Sequence, residues 1–416
     1  MRKAFPPPCA REARGASWGP TSSDSPRFRR PPETALKTVY LDHNATTRVR
    51  PEVREEIAAV LAEPGNPSSA HQFGRVAREV REAARERVAA AAGCAPREVV
   101  FTSGGTEADH LALRGLTGGE RGNHLIVGAT EHEAVLTTAS ALRSTDTRVS
   151  ILPVDGSGRI DPASLRDALR PDTALVSIMA ANNETGVLAP LKELGEICRE
   201  HGVLFHTDAV QCFGKVPFRF SDLPVDAASL SSHKIGGSAG SGALLLRKGI
   251  VPSGLVTGGG QERGIRPGTE NLSGIAGFGR AAELAAREVN EFGSRTGPLR
   301  DRLEREIRAV FPESLVNGAE APRLPNTSNI AFPGLNGETL MIGLDLAGIA
   351  VSTGAACAAG AAAPSGVLTA MGLDRSIASG TLRFSLGRET NANEIDRVLK
   401  ILPGVVKTAD GTGHSS

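Results

Sequence analysis

The chain has 416 residues, of which 40% are hydrophobic and 22% charged, which is typical of a globular protein long enough for two domains with sizeable cores. Its 47 basic and 46 acidic residues nearly cancel, which argues against a protein that binds nucleic acid or a membrane surface through charge. The five cysteines include no C-x-x-C pair, so neither a zinc site nor a redox pair is predicted. The sequence has no run of about 18 uncharged apolar residues, so no transmembrane helix is predicted.

Both ends of the chain differ in composition from the rest. Residues 1–37 are rich in proline, serine and arginine but have no apolar stretch, which excludes a secretory signal and predicts a disordered extension. An organelle transit peptide stays open from the arginine and serine content, although the prolines and acidic residues weigh against it. The tail at 408–416 is also predicted to be disordered, and the scattered cysteines indicate a reduced, cytoplasmic protein.

Between these ends, short apolar strands alternate with helical stretches. Strands are predicted at 99–101, 125–127, 174–179, 203–205, 227–230 and 243–246, and helices at 51–62, 75–92, 106–116 and 191–201. This alternation indicates an α/β fold with a mostly parallel sheet flanked by helices. A long helix at 273–292, a separate helix at 298–310, a strand at 329–332 and further α+β material complete the prediction. We therefore expect a large domain at 45–290 and a smaller α+β domain formed by 38–44 and 291–407.

One predicted strand leads directly into a lysine. Residues 227–230 are followed by Ser231, Ser232, His233 and Lys234, and then by a glycine-rich turn. A lone lysine in a loop is most often a surface residue. At a strand end, however, a lysine can occupy a site of low polarity where its amine loses a proton and attacks an aldehyde. The hydroxyl groups just before it could hold a phosphate.

An aspartate follows the strand at 203–205. In an open α/β sheet the carboxyl ends of the strands face the ligand crevice, and Asp208 stands at such an end. Asp208 could simply cap a helix. Beside a Schiff-base lysine, it would hold the pyridine nitrogen of pyridoxal 5′-phosphate (PLP) protonated, so that the ring acts as an electron sink.

A third segment joins the strand at 99–101 to a helix through two glycines. Gly104 and Gly105 precede Thr106 at the predicted helix N-terminus, where free backbone N–H groups and the helix dipole suit a phosphate. Thr106 alone could be an ordinary N-cap. Together with Asp208 and Lys234, in this chain order, the segment indicates a PLP site.

These motifs resemble those of the fold-type I PLP enzymes in the class V aminotransferase superfamily, and specifically the NifS/IscS-like cysteine desulfurases. The resemblance covers about residues 38–405. Further segments that carry it lie at 39–47, 65–69, 130–135, 182–186, 258–264, 266–269 and 383–388.

The resemblance implies a role for each matching residue. Lys234 would form the Schiff base with PLP, Asp208 would pair with the pyridinium nitrogen, and His132 would stack on the ring and shuttle protons. The other implied contacts are Gln211 and Asn183 on the ring-hydroxyl side; Gly105, Thr106, Ser231 and His233 on the phosphate; and Thr269 on the phosphate of the neighbouring subunit, which implies a homodimer. Arg383, helped by Asn183, would bind the substrate carboxylate in a bidentate pair. A capping or core role for His132 and a surface ion pair for Arg383 are the alternatives.

Cys357 falls on the nucleophile of the family's active-site loop. A free cysteine is most often a small buried hydrophobe, but here Gly and Ala crowd both sides and predict a flexible loop. Where the family often has an acidic residue before the proline, this chain has Ala363 and then Pro364. The resemblance implies that L-cysteine is converted to alanine, that its sulfur passes to Cys357 as a persulfide, and that an iron–sulfur scaffold or tRNA-thiolation protein accepts it.

Two other functions stay open at this point. A selenocysteine lyase or an aminotransferase would share the PLP site, and neither depends on the loop cysteine in the same way. A PLP-binding scaffold without activity is an alternative of another class, but the full set of Lys234, Asp208, His132, Arg383 and Cys357 argues against it.

Overall fold

The alternation of strands and helices predicted from the sequence organises the observed fold. The computed structural model describes residues 38–353 and 364–411. The strands are β1 Val39–Tyr40, β2 Val99–Thr102, β3 His124–Gly128, β4 Arg148–Leu152, β5 Thr173–Ser177, β6 Leu204–Asp208, β7 Ala227–Ser231, β8 Gly242–Leu246, β9 Leu315–Val316, β10 Thr327–Ala331, β11 Ile349–Ala350 and β12 Thr381–Ser385. The helices are α1 Pro51–Leu61, α2 Gln72–Ala92, α3 Gly105–Leu116, α4 Glu133–Arg143, α5 Pro162–Ala168, α6 Leu191–Glu200, α7 Leu272–Val310, α8 Gly337–Leu346, α9 Gly366–Ala370, α10 Arg375–Ala378 and α11 Ala392–Ala409.

Seven strands form the central sheet, in the order β2-β8-β7-β6-β5-β3-β4. All of them run parallel except β8, which is antiparallel to both of its neighbours. The six parallel strands therefore end at one edge of the sheet, where ligands bind in open α/β folds. The α/β fold class predicted from the sequence is confirmed.

Successive residues of the central strands enter two different hydrophobic cores. On β2, Val99 and Phe101 belong to one core and Val100 to the other, as the two-residue period of a strand requires. Burial on both faces explains why these strands appear in the sequence as continuous apolar runs rather than alternating ones.

A third hydrophobic core lies around β1, β10, β12, α8 and α11. Here β10 pairs antiparallel with both β12 and β9, while β1 pairs parallel with β11. An isolated bridge joins Asp42 to Ser385, so the segment after β1 lies beside the end of β12. This contact brings the N-terminal segment to the neighbourhood of Arg383 on β12. The division into a large and a small domain stays a prediction.

The prediction of two separate helices at 273–292 and 298–310 was wrong. A single helix of 39 residues, α7, runs through Pro298. Proline lacks a backbone N–H, and its ring crowds the carbonyl four residues earlier, so its position suggested a helix start. Packing on both sides overrides this local cost: Phe278 lies in the core that contains Phe101, while Leu303 lies in the core around β10. The domain boundary predicted at 290/291 falls inside this helix. Among the described residues, no helix is long and apolar enough to cross a bilayer.

Candidate active site

Three of the predicted site segments meet at the carboxyl edge of the central sheet. Asp208 is the last residue of β6, Lys234 lies in the short 3₁₀ turn after β7, and Gly104 precedes α3 after β2. Asp208 pairs with Ser229 across the β6–β7 register, which fixes the relative position of the two strand ends. Their convergence follows from strands that run parallel and end together.

The amine of Lys234 is held by main-chain oxygens of the N-terminal segment. Its Nζ donates to the carbonyl oxygens of Asn44 at 2.6 Å and Ala45 at 2.7 Å. Thr47 fastens the same segment to the lysine turn, since its Oγ1 donates to the carbonyl of His233 at 2.7 Å. The lysine head group therefore has a defined position at the sheet edge.

Asp208 is a buried carboxylate with few protein donors. It is 6% exposed, and its Oδ1 accepts from the backbone N–H of Val210 at 2.8 Å. Burial raises the pKa of Asp208, while the Val210 hydrogen bond and the charges of His132 and Lys234 oppose that rise. Such a carboxylate is suited to a cationic partner that would hold it ionised.

A second carboxylate lies behind Asp208. Asp109 on α3 is 1% exposed, and burial followed by the charge of Asp208 raises its pKa well above the usual range. Its Oδ1 lies 3.7 Å from Nε2 of His206, whose own pKa is lowered to about 3 by burial. A neutral histidine cannot neutralise Asp109 by charge, so we expect Asp109 to hold a proton.

His132 takes the capping position that was one of its two alternatives. It is the N-cap of α4, and its Nδ1 accepts from the backbone N–H of Ala134 at 3.1 Å. In a neutral ring this contact places the proton on Nε2. The charge of His132 also opposes the rise in the pKa of Asp208, so the imidazole lies within electrostatic range of that carboxylate. Capping and ring contact are therefore compatible.

The phosphate side is built from small residues. Gly104 caps α3 without a side-chain hydrogen bond, so the first N–H groups of that helix receive no side-chain acceptor from the cap. A Cβ at Gly105 would lie 2.8 Å from Cγ2 of Val210, so only glycine fits without displacing its neighbour. Ser231 is buried, His233 is half-buried with Nδ1 3.1 Å from Oγ1 of Thr46, and Thr106 is exposed.

Arg383 is buried, and its guanidinium group already forms hydrogen bonds within the chain. It is 3% exposed; its Nη1 donates to the carbonyl of Asn183 at 3.0 Å and its Nη2 to Oδ1 of Asp42 at 2.6 Å. Its Nε has no hydrogen-bond partner within residues 38–353 and 364–411. The alternative of a surface ion pair is wrong, because Arg383 is buried. Arg383 does form an ion pair with Asp42, and a substrate carboxylate would have to share this pair or displace Asp42.

Comparison with known proteins shows the family to which the chain belongs. The family model for aminotransferase class-V matches residues 39–398. The chain belongs to this family. Cysteine desulfurase IscS of Clostridium botulinum is 44% identical over 376 residues, 89% of this chain and 95% of that protein. A cysteine desulfurase of Cereibacter sphaeroides is 48% identical over 378 residues, 89% of this chain and 96% of that protein.

A solved structure named NIFS-like protein has the same fold. It aligns with a TM-score of 0.83 and 39% identity over 89% of this chain and 100% of that chain. The resemblance to NifS/IscS-like cysteine desulfurases inferred from the sequence is thus confirmed, and the chain is an enzyme of a PLP-dependent group.

The class-V site fits PLP by the chemistry of its groups. Lys234 supplies an amine at the sheet edge, and Asp208 supplies a buried carboxylate that is suited to a cation. Gly104 leaves the first N–H groups of α3 without a side-chain cap, which suits a phosphate. The aldehyde of PLP would react with the amine of Lys234, its protonated ring nitrogen would pair with the carboxylate of Asp208, and its phosphate would accept from the remaining donors.

The remaining predicted PLP ligands of this class-V chain are placed as follows. Gln211 is buried; its Nε2 donates to the carbonyl of Asn44 at 2.9 Å. Asn183 is half-buried, and it is its backbone oxygen that accepts from Arg383. Thr269 is exposed in the loop before α7, and its contact with a neighbouring subunit stays a prediction.

Sequence reasoning missed three polar residues at the desulfurase site: Asp42, Asn44 and Glu184. All three lie inside segments that carry the family resemblance, so their positions in those motifs could have identified them as site residues. Glu184 is 8% exposed, and its Oε2 accepts from Oγ of Ser365 at 2.5 Å. Burial raises the pKa of Glu184 to about 7, against the opposing effects of Ser365 and Arg383.

The cysteines of this family member differ in what the structure reveals. Cys357, the predicted nucleophile, lies outside the described residues, as do Cys9 and Ala363. Burial raises the pKa of Cys94, Cys198 and Cys212 to about 12 in each case. A thiolate is the nucleophilic form of cysteine, so none of these three is suited to attack sulfur near neutral pH.

Proposed function

We propose that the protein converts L-cysteine to L-alanine and transfers the sulfur to Cys357 as a persulfide, with PLP bound by Lys234. The observation that carries this proposal is the meeting of Lys234 and Asp208 at one sheet edge, with Arg383 linked to Lys234 through Asn44 and Asn183. The cysteine desulfurase relatives, which align with 89% of this chain, support it.

PLP, when bound, supplies an aldehyde for a substrate amine and an electron sink for the pair left when the Cα–H bond breaks. The chain's own residues do the rest. Lys234 removes the α-proton as a base, and Asp208 keeps the ring nitrogen protonated. Arg383, with Asn183, holds the substrate carboxylate and so orients the Cα–H bond toward Lys234.

The sulfur transfer balances between substrate and Cys357. The Cys357 thiolate attacks the substrate sulfur, an S–S bond forms and the Cβ–S bond breaks. The electron pair of the broken bond stays on carbon, which takes up a proton and leaves as part of alanine. An unperturbed thiol with a pKa of about 8.5 is only a few per cent ionised at pH 7, so His132 is proposed as the base that assists it.

The remaining contacts complete the proposal. Gly105, Thr106, Ser231 and His233 hold the phosphate of PLP, and Gln211 donates to its ring hydroxyl. Thr269 reaches the phosphate site of a second copy, so that the enzyme acts as a homodimer. An iron–sulfur scaffold or a tRNA-thiolation protein in the cytoplasm takes the persulfide sulfur.

The test is a comparison of the wild type with Cys357→Ser. Each purified protein is loaded with PLP and incubated with L-cysteine and a reductant, and sulfide and alanine are quantified. We expect equal amounts of sulfide and alanine from the wild type and neither from the variant. Alanine from both proteins would remove Cys357 from the reaction. No alanine from either, but alanine from selenocysteine, would replace the proposal with a selenocysteine lyase.

A further inference from the structure

Lys215 is a buried lysine that the proposed reaction does not use. It is 4% exposed and follows Gln211 by four residues. Its Nζ donates to Oε1 of Gln211 at 2.5 Å and to Oδ1 of Asn44 at 2.8 Å. Both acceptors are neutral amide oxygens, and among the described carboxylates none forms an ion pair with Lys215. A lysine so deeply buried normally has a carboxylate partner, so the burial of Lys215 without one needs another reason.

The two contacts of Gln211 determine which way its amide faces. At one end the oxygen accepts from Lys215, and at the other the nitrogen donates to the carbonyl oxygen of Asn44 at 2.9 Å. If the amide turned over, two oxygens would face each other at Asn44, and the Lys215 N–H would face an N–H₂ group. Burial lowers the pKa of Lys215, and the positive charges of Lys234 and Arg383 lower it further. Both the neutral amine and the charged ammonium have the two N–H groups that the contacts with Gln211 and Asn44 require.

The donor end of Gln211 lies beside the Schiff-base lysine. The carbonyl oxygen of Asn44 that accepts from Nε2 of Gln211 also accepts from Nζ of Lys234. The amide nitrogen has a second N–H beyond the one given to Asn44. The donor that Gln211 can offer to a ligand is therefore on the Lys234 side, and its acceptor is turned away toward Lys215.

The side chain of Asn44 extends the same network to the substrate-binding residues. Its Nδ2 donates to the carbonyl of Asn183 at 3.1 Å and to Oγ1 of Thr327 at 2.9 Å. Lys215 and Nδ2 of Asn326 both donate to Oδ1, so the two together determine the orientation of this amide. The Asn183 carbonyl shared with Arg383 thereby keeps its second donor.

We infer that Lys215 is a positioning residue that orients the amide of Gln211, so that its N–H₂ end is presented to the ring-hydroxyl oxygen of PLP. This inference rests on the proposed function, because it presupposes that PLP binds at Lys234. Lys215 touches neither substrate nor cofactor and acts through Gln211. Without it, the Gln211 oxygen would have no donor among the described residues, and the contact with Asn44 alone would orient the amide.

A double-mutant cycle tests the inference on the holoenzyme. The proteins are the wild type, Lys215→Met, Gln211→Met and the double variant, each loaded with PLP. The dissociation constant of PLP is measured by dialysis, and the absorption spectrum of the bound cofactor is recorded. We expect each single variant to weaken PLP binding about tenfold, which corresponds to the loss of one hydrogen bond to a charged group. The two single variants should change the absorption spectrum of the bound cofactor in the same way.

The double variant supplies the decisive comparison. If Lys215 acts through Gln211, Lys215→Met weakens binding less than twofold further in the Gln211→Met background. Effects that multiply would overturn the inference, as would a Lys215→Met protein with unchanged PLP affinity and spectrum. Lys192→Met, at an exposed lysine on α6, is the matched control and should match the wild type.

Two further outcomes are separable. If Lys215→Met does not fold, Gln211→Met suffices: unchanged PLP affinity in that variant overturns the inference, because Lys215 is argued to act through Gln211. If the wild type binds no PLP, or binds it and forms no alanine, the proposed function fails first. A wild type that makes alanine together with multiplying effects in the cycle removes only the role of Lys215.

Discussion

Asp42 holds the guanidinium group of Arg383 through a hydrogen bond of 2.6 Å, although the two residues are 341 positions apart in the chain. The residue proposed to bind the substrate carboxylate is thus already paired with a carboxylate, and that partner is only partly buried. An internal partner of this kind keeps a buried arginine satisfied until the substrate arrives.

We therefore expect Arg383→Gln to weaken substrate binding selectively. The KM for L-cysteine should rise at least about tenfold, the loss expected for a charged hydrogen-bonded pair, whereas the PLP dissociation constant should stay within about twofold. Steady-state alanine formation and PLP dialysis measure the two quantities. Arg323→Gln, at an arginine whose largely covered side chain is paired with Glu304, is the matched control. An unchanged KM would remove Arg383 from the substrate site.

Lys234→Ala should abolish turnover. It removes both the amine that binds the cofactor covalently and the base that takes the α-proton, and the loss of a general base alone costs about 10²–10⁴-fold in rate. Alanine formation under saturating L-cysteine is the measurement, and dialysis should also remove PLP from the variant faster. Lys248→Ala, at an exposed lysine nearby in sequence, should retain full activity. Residual activity above a tenth of wild type would exclude Lys234 as the base.

The two buried carboxylates should respond differently to amide replacement. Asp109→Asn replaces a group that we expect to be protonated with a neutral isostere, so alanine formation should fall less than about threefold. Asp208→Asn removes the charge proposed for the ring nitrogen, and the rate should fall about a hundredfold or more. Comparable losses in both variants would show that Asp109 is ionised in the working enzyme. The rates are compared at one pH, with PLP content verified in each protein.

Glu184 should make stability depend on pH. Its pKa of about 7 in the folded chain is above the usual value for an unfolded glutamate of about 4.3, so the folded state binds the proton more tightly. Between these two values the unfolded chain releases its proton first. Rising pH therefore destabilises the wild type progressively up to about pH 7, after which the full cost persists.

Glu184→Gln should remove this cost while still accepting from Ser365. The stability of the variant relative to the wild type should therefore increase by about 2–3 kcal/mol between pH 5 and pH 8. Thermal unfolding midpoints at pH 5, 6, 7 and 8 provide the measurement. Glu193→Gln, at an exposed glutamate on α6 that does not contribute to the shifted pKa of Glu184, serves as the control. Parallel profiles for wild type and Glu184→Gln would contradict the shifted pKa.

The sequence was sufficient for those parts of the site that depend on local pattern. Asp208 and Lys234 each follow an apolar strand, and parallel strands bring their ends together whatever the loops do. The pairing of Asp42 with Arg383 and the network around Asn44 depend instead on contacts between residues far apart in the chain, and no local periodicity encodes these. Pro298 illustrates the opposite error, since a strong local signal for a helix start was overridden by tertiary packing on both sides.

The uninterrupted course of α7 also makes the enzyme sensitive to small insertions and deletions. Each residue of a helix advances the phase by about 100°, so one residue added near Ser294 would rotate everything after it by that angle. Leu303 and Ile307 would then turn away from the core that supports β12, the strand that carries Arg383. We expect length changes here to be far more damaging than substitutions, so that the spacing between Phe278 and Leu303 matters more than the residues that fill it.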